Sequence, residues 1–354
     1  MMKGVILHGG HGTRLRPLTH TGPKQLLPIA NKPMSQYALE EMREAGVKEI
    51  AIIIGDVYPE KVKEYYGDGS NFGVDISYIY QDKPKGISHA IQLTRDFVGD
   101  EKFLVVLGDN IFAKSLSSYA KKFESSRSDA MILLCKVDDP SRFGVAELDG
   151  SGKIVKIIEK PKNPKSDLAV IGVYFLTPKI FDIINNLKPS WRGELEITDA
   201  FQLLMQNNGT IDYDTVTGWW KDTGTAEDIL HANRLVLENI SSYLHSNKDY
   251  EIKNNILIGK NTTISRDSSV IGPSIIGENC LIGPAVRLGP NVSIGNNVTL
   301  KHCEIDDSIL MDNCRIEHKI HITESIIASG SEIIHDNERK NQQFLLGERS
   351  KIIF

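Results

Sequence analysis

The sequence predicts two folds in tandem: an α/β domain with a mixed, mostly parallel sheet over residues 1–237, and a repeat-built β-helix over residues 254–354, joined by a linker at 238–253. Three observations carry that expectation. Short apolar, β-branched runs alternate with longer periodic stretches up to about Leu237. A glycine-rich turn follows the first of those runs. Beyond residue 254 an unbroken six-residue ladder replaces both patterns.

The first run, Gly4-Val5-Ile6-Leu7, is continuously apolar, as in a strand buried on both faces of a parallel sheet. Met34, Tyr37, Ala38, Met42 and Ala45 recur at spacings of three and four, which predicts a helix with one buried face. Further strands are expected at Lys48 to Ile54, Ile76 to Tyr80, Phe103 to Leu107, Ala130 to Lys136 and Ala169 to Leu176. In such sheets ligands bind beyond the carboxyl ends of the strands, so polar residues following apolar runs are the candidates for chemistry.

After the first strand, Gly9, Gly10 and Gly12 let the backbone take positive φ and bring N–H groups close to an anion. The two commoner phosphate loops do not fit. G-x-G-x-x-G starting at Gly10 would need glycine where Leu15 stands, and no G-x-x-x-x-G-K-[ST] string follows the strand. What stands there is G-G-x-G-T-R-L, then Pro23-Lys24, Pro28-Ile29 and Asn31-Lys32-Pro33-Met34. This series resembles the signature of the sugar-1-phosphate nucleotidylyltransferases, and most closely the longer thymidylyltransferase type. The resemblance implies a Rossmann-like nucleotidyltransferase domain. It assigns Leu7, Gly9, Gly10, Gly12, Thr13 and Arg14 to the nucleotide, Arg14 and Lys24 to catalysis at the phosphates, and Gln25 to the nucleotide sugar. His8 departs from the pattern, which has a small residue there, and is expected to narrow the site. His8 and His11 as a metal pair is the weaker reading, since no third ligand is near in sequence.

Three later segments follow strands. Gln81 closes Tyr78-Ile79-Tyr80; it resembles the family glutamine that reads a pyrimidine edge, as Gly86 resembles the glycine lying against the base. An amide offers both the donor and the acceptor that thymine needs. Asp109 ends the Phe103–Leu107 run, and Asp222 lies in Trp220-Lys221-Asp222-Thr223-Gly224-Thr225, which matches the family's W-x-D-T-G-T. The pair makes a two-carboxylate site suited to Mg²⁺, which favours hard oxygen ligands. Phe143-Gly144-Val145, Glu159-Lys160-Pro161, Val170 with Gly172, and Arg192 through Asp199 match the family's sugar-phosphate motifs. There Gly144, Glu159, Lys160, Val170 and Glu194 are expected to hold the sugar phosphate, with Lys160 as a compact charge on its phosphate. Taken alone, Glu159 and Lys160 would read as a solvated surface pair.

The activity implied is transfer of thymidylyl from dTTP to glucose 1-phosphate, giving dTDP-glucose and pyrophosphate with Mg²⁺. Uridylyl transfer from UTP, with acetyl transfer in the repeat domain, is the alternative activity. A non-catalytic regulatory relative is a third reading, which the presence of Arg14, Lys24, Asp109, Lys160 and Asp222 disfavours.

In the repeat domain Ile258, Ile264, Val270, Ile276, Ile282, Leu288, Ile294 and Leu300 form the ladder, with Cys280, Val286, Val292 and Val298 on a second column. The period means short strands stacked round an apolar interior. Resemblance to hexapeptide-repeat proteins implies a left-handed β-helix. The register slips and resumes at Leu310, Ile316 and Ile322, so an interruption is expected near Asp306-Asp307. His302, His318, His321 and His335 are the possible bases of an acetyl transferase. Ile352-Ile353-Phe354 is expected to cap the coil or meet a neighbouring subunit, and homo-oligomerisation is the expected role of this half.

A net charge of −5 lacks the basic surplus of a nucleic-acid binder. The four cysteines form no C-x-x-C pair, and neither an apolar leader nor a membrane-length apolar run stands out. A cytoplasmic enzyme without nucleic-acid or membrane partners is expected.

Overall fold

The computed structural model describes residues 2–113, 115–239 and 250–334. It divides into two compact units. One comprises Met1–His11, Thr21–Leu26 and Met34–Asp222; the other takes Gly12–His20, Leu27–Pro33 and the chain from Thr223 onward. Two short stretches from the start of the chain therefore belong with the repeat domain, which the sequence reading did not foresee.

The first unit is built on a nine-stranded mixed sheet. Lys3–Leu7 lies at its middle, parallel to Glu49–Ile54 on one side and to Phe103–Leu107 on the other, with Asp75–Tyr80 parallel beyond Glu49–Ile54. The chain thus moves outward in one direction and then returns to the far side of its first strand. That reversal opens a crevice at the carboxyl ends of Lys3–Leu7 and Phe103–Leu107, where ligands bind in such sheets. The other half is antiparallel around Leu168–Leu176, which pairs with Phe103–Leu107, Ala130–Lys136 and Gly144–Leu148. The strands expected from the sequence are all present, and the fold class is borne out. Helix Met34–Glu44 buries Met34, Tyr37, Ala38 and Met42 as its spacing requires.

Two apolar layers cover the two faces of the sheet. Ile6, Leu104, Val106, Ile171, Val173 and Phe175 face one, and Val5, Leu7, Val105, Val170, Tyr174 and Leu176 the other. The alternation follows from the pleat, which sends successive side chains to opposite faces. Each fully buried Val, Leu or Ile contributes about 1.5–3 kcal/mol.

In the second unit short parallel strands stack into a β-helix. Ile256–Gly259, Ser274–Ile276, Val292–Ile294, Ile309–Leu310 and Ile326–Ile327 form one wall. Thr263, Leu281 and Thr299 begin the strands of another, at a repeat of three hexads. Ile276, Ile282, Leu288, Ile294 and Leu300 fill the interior with Cys280, Val286, Val292 and Val298. Asparagine turns the corners at Asn261, Asn279, Asn297 and Asn313, with φ of 58°, 56°, 57° and 61°. It tolerates this left-handed region better than other residues with a Cβ. Their amides also bond from coil to coil, Asn261 Nδ2 to Asn279 Oδ1 at 3.1 Å and Asn297 Nδ2 to Asn313 Oδ1 at 3.2 Å.

The register slip begins earlier than expected. The ladder passes from Leu300 to Ile305 and then to Leu310, and the pairing of Thr299–Ile305 with Arg315–Ile322 shifts between Lys301 and Cys303. His302, at φ 54°, turns the chain there. Of the expected linker, the helix Ala226–Glu238 takes the start and Tyr250–Lys253 pairs with Ile256–Gly259. Residues 240–249, His335 and the terminal Ile352-Ile353-Phe354 lie outside the described residues.

Candidate active site

At the mouth of the crevice, the Gly108 N–H donates to the Leu7 carbonyl at 3.0 Å, bringing the ends of the two central strands together. Leu7 itself is packed into the core, so only its backbone reaches this edge. Asp109 follows, largely buried, and pairs with the Lys24 ammonium. Asn110 Nδ2 donates to Asp109 Oδ1 at 3.0 Å. Burial alone would push the Asp109 carboxyl up; Lys24 and Asn110 more than offset it, and hold it below the usual carboxylate range.

Asn110 is clamped in turn. Its Oδ1 accepts from the Trp220 indole at 2.7 Å and from the Gly172 N–H at 3.2 Å. Gly172 has no room for a side chain, since a Cβ would come within 2.7 Å of Asn110 Oδ1. The short strands Asn110–Phe112 and Trp220–Asp222 pair antiparallel with Asp222 opposite Asn110. The register thus sets Asp222 beside the strand that begins one residue after Asp109. Two of the sequence motifs, V-x-G and W-x-D, converge on one buried amide. Asn110 is the residue that motif reading missed, and its signal was there: a buried polar residue next to a candidate carboxylate.

A second cluster forms one row across three strands. Glu159 lies opposite Gly144, and Gly144 opposite Val170. A Cβ on Gly144 would stand 2.5 Å from Thr198 Cγ2 and 3.4 Å from Glu159 Oε2, so the glycine allows those groups to close up. Thr198, which sequence reasoning did not single out, donates to Glu159 Oε2 at 3.1 Å. Lys160 Nζ is 3.3 Å from Glu159 Oε1, and the Arg192 guanidinium is 3.5 Å from the same oxygen, 3.0 Å from Glu194 and 3.3 Å from Glu196. Burial pushes the Glu196 carboxyl up. Tyr174, fully enclosed, lies on the same strand as Val170 and Gly172; burial pushes its phenol up, and Glu159, Asp109 and Asp222 push the same way.

On the other side of the glycine turn, a cleft is lined by Gly9, Gly10, His11, Gln81 and Pro84. Gln81 Nε2 meets His89 Nδ1 at 2.9 Å, and its Oε1 would lie 3.6 Å from a Cβ on Gly9. Gln25 is buried and donates to the Gly9 carbonyl at 2.9 Å. Gly86, at φ 101°, is pressed against the Leu195 backbone rather than lying free. His11 lies 3.4 Å from Asp56. His8 turns into the interior, its ring edge-on to Tyr66 at 6.1 Å, and neither ring nitrogen has a hydrogen-bond partner among the described residues. Burial lowers its imidazole to about 3 against the pull of Asp109.

Gly12, Thr13 and Arg14 belong to the second unit. Gly12, at φ 58°, opens the turn Thr13–Leu15, and its carbonyl accepts from Thr19 Oγ1 at 2.8 Å. The Arg14 guanidinium lies over Gly224 of the D-T-G-T segment, 3.0 Å from where a Cβ would stand.

Residues 3–239 match the family model described as nucleotidyl transferase. The chain belongs to the nucleotidyl transferase family. As a nucleotidyl transferase it is 40% identical to the glucose-1-phosphate thymidylyltransferase of Streptomyces antibioticus over 99% of both chains. It is 52% identical to the low-salt glycan biosynthesis nucleotidyltransferase Agl11 of Haloferax volcanii, over 68% of this chain and 67% of that one. Among solved structures, a Bacillus anthracis protein assigned as a glucose-1-phosphate thymidylyltransferase, with sucrose bound, aligns at 43% identity and a TM-score of 0.63. It covers 66% of this chain and 95% of its own. Residues 270–352 match the model described as the GMPPB C-terminal domain. The expected kinship to sugar-1-phosphate nucleotidylyltransferases is borne out.

Nucleotidyl transferases generally use a divalent metal. Among the described residues no group of three or more His, Cys, Asp and Glu forms a metal cage. The residues that could hold a hard cation are Asp109 and Asp222, two carboxylates that the strand register sets at neighbouring positions, the first held ionised. That is the sparse protein contribution a cation shared with phosphates needs. No described helix is long and apolar enough to cross a membrane.

Proposed function

We propose that this nucleotidyl transferase moves thymidylyl from dTTP to glucose 1-phosphate, releasing pyrophosphate, with Mg²⁺ as the divalent cation. Residues 1–237 carry the reaction and 254–354 form the repeat domain. The observation that carries the reading is that two charge clusters meet on one strand: Lys24–Asp109–Asn110 with Asp222 through Gly172, and Glu159–Lys160–Arg192–Glu194 through Val170. One suits a triphosphate and the other a sugar bearing a phosphate.

The sugar phosphate is already ionised and needs no base. Its oxygen forms a bond to the α-phosphorus of dTTP as the bond to pyrophosphate breaks in line. Two anions must be held together, so positioning and charge neutralisation supply most of the rate. Lys24 neutralises charge at the reacting phosphates, and Arg14 steadies the departing pyrophosphate with the turn N–H groups of Gly9, Gly10, Gly12 and Thr13. Lys160 holds the sugar phosphate, and Glu159 and Glu194 accept from sugar hydroxyls beside Gly144 and Val170. Gln81 reads the base edge with Gly86 behind it, and Gln25 meets the nucleotide sugar. Asp109 and Asp222 would hold Mg²⁺, which when bound supplies charge stabilisation to the phosphates. Homo-oligomerisation through the β-helix and a cytoplasmic location complete the reading; the free thiols of Cys135, Cys280, Cys303 and Cys314 fit a reducing compartment.

The test is pyrophosphate release with Mg²⁺, offering dTTP and UTP each against glucose 1-phosphate, N-acetylglucosamine 1-phosphate and no sugar. Release that requires dTTP and glucose 1-phosphate together is expected. Preference for UTP or the amino sugar would overturn the substrate assignment, and no release with any pair would overturn the reaction.

A further inference from the structure

The hairpin Pro28–Pro33 follows directly on the turn Lys24–Leu26, and it packs with the β-helix rather than with the sheet. Its tip, Ala30 and Asn31, has φ of 47° and 60°. Two successive left-handed residues make the tight turn whose twist suits a hairpin, and that turn favours asparagine and glycine. Alanine is the residue out of place there: a Cβ in this region costs about 1–2 kcal/mol. Such strain persists where surrounding groups over-determine the backbone.

Those groups come from the second unit. The Ala30 N–H donates to Asn233 Oδ1 at 2.9 Å, and Ser293 Oγ donates to the same oxygen at 2.7 Å. Asn31 Nδ2 donates to the Ile294 carbonyl at 2.6 Å, and Asn233 Nδ2 to that of Asn291 at 3.4 Å. Ser293 sits mid-strand between Val292 and Ile294, both of which fill the coil interior, so its own side chain points outward; yet it is fully buried. Above and below it in register lie Ile275 and Ile309, also buried. One outward column of the β-helix is therefore covered, and its single hydroxyl is spent on the amide that holds the hairpin.

We propose that the β-helix is a positioning element for the catalytic strip: Asn233, Ser293 and Asn31 hold the strained hairpin, which through its covalent lead-in sets the placement of Lys24 and Gln25. The inference rests on the reading of Lys24 and Gln25 as nucleotide-side groups.

Asn31→Gly keeps the positive φ at no cost and removes only the side-chain bond; Ser293→Ala removes one hydroxyl. In the full-length enzyme both should raise the nucleotide KM or lower kcat/KM for the nucleotide by about tenfold, since misplacement by about 1 Å can cost 10²-fold. The sugar-phosphate KM should stay within about twofold, because Glu159, Lys160 and Glu194 lie more than a hundred residues along the chain from the hairpin and make no bond to it, whereas Lys24 and Gln25 lead straight into it; a loss of folded protein would lower kcat and leave both KM values alike. Equal or absent effects on the two substrates would overturn the proposal. Hydrogen exchange reads it without turnover: the Ala30 and Lys24–Leu26 amides should exchange faster in both variants. Unchanged exchange at Lys24–Leu26 would sink the positioning role even if wild-type enzyme proved inactive on every substrate pair, an outcome that would by itself count only against the proposed function.

Discussion

Gly86→Ala would test how two sequence-distant loops hold the site. A Cβ at Gly86 would stand 2.5 Å from the Leu195 carbonyl oxygen and 2.7 Å from its nitrogen, whereas ordinary contact begins at 3.4 Å. The Leu195 backbone would have to retreat by about 0.9 Å, and it is tied down by Ser88 N–H at 3.1 Å and by its own N–H to the Lys85 carbonyl at 2.8 Å. Strain at φ 101° adds about 1–2 kcal/mol, and overpacking about 1–3 kcal/mol. A loss of about 3 kcal/mol in unfolding free energy is expected, read by urea denaturation. Glu194 precedes Leu195, so the same shift moves the sugar cluster, and kcat/KM for the sugar phosphate should fall by about 10²-fold. Gly46→Ala is the control, since Gly46 has φ 88° but nothing within 4 Å of a Cβ. It should show the conformational cost alone and keep full activity. If Gly86→Ala behaves like Gly46→Ala, the packing argument is wrong.

Asp109→Asn and Asp222→Asn should each lower Mg²⁺-dependent turnover by about 10²-fold or more, measured by Mg²⁺ titration of pyrophosphate release; unchanged turnover would remove them as metal ligands. Asn110→Ala should cost about 3 kcal/mol in thermal or urea unfolding, because it orphans the Trp220 indole and the Gly172 N–H at about 1–3 kcal/mol each. His8→Leu should change the pH profile of stability. The folded-state imidazole is lowered from 6.5 to about 3, so the native state resists protonation and the unfolded state does not. Wild-type stability should therefore be full above pH 6.5 and fall toward pH 3, by about 2 kcal/mol at pH 5, with the variant free of that slope. Parallel curves for the two proteins would mean that His8 is solvated in the native state.

The elements legible in the sequence were those with a strong local period. Val5 to Leu7 and Phe103 to Leu107 announced buried parallel strands because both faces are covered. The β-helix ladder was legible because its period is set by geometry common to every coil. Gly144, Glu159 and Val170 were named by motif, and their meeting in one row needed strand registers that no local pattern encodes. Asn110 and Thr198 escaped because their importance lies in partners far along the chain, Trp220 and Glu159. The membership of residues 27–33 in the second unit was invisible for the same reason: Asn233, itself bonded by Ser293, holds Ala30 across some two hundred residues of sequence. His8 was noticed as out of pattern, but only burial against Tyr66 showed where it turns.

Val170, Gly172 and Tyr174 occupy alternate positions of one nine-residue strand, Leu168–Leu176. Val170 belongs to the row with Gly144 and Glu159, Gly172 touches the amide that bonds Asp109, and Tyr174 is buried two residues further along. At about 3.3 Å of rise per residue, the strand would, on the proposed function, work as a graduated ruler between the two substrates' sites. Its graduations are covalent, so loop changes cannot lengthen or shorten it. On that reading, acceptors of different bulk would be accommodated by the turns bearing Lys160 and Glu194, while the span over which the two phosphates meet would stay constant.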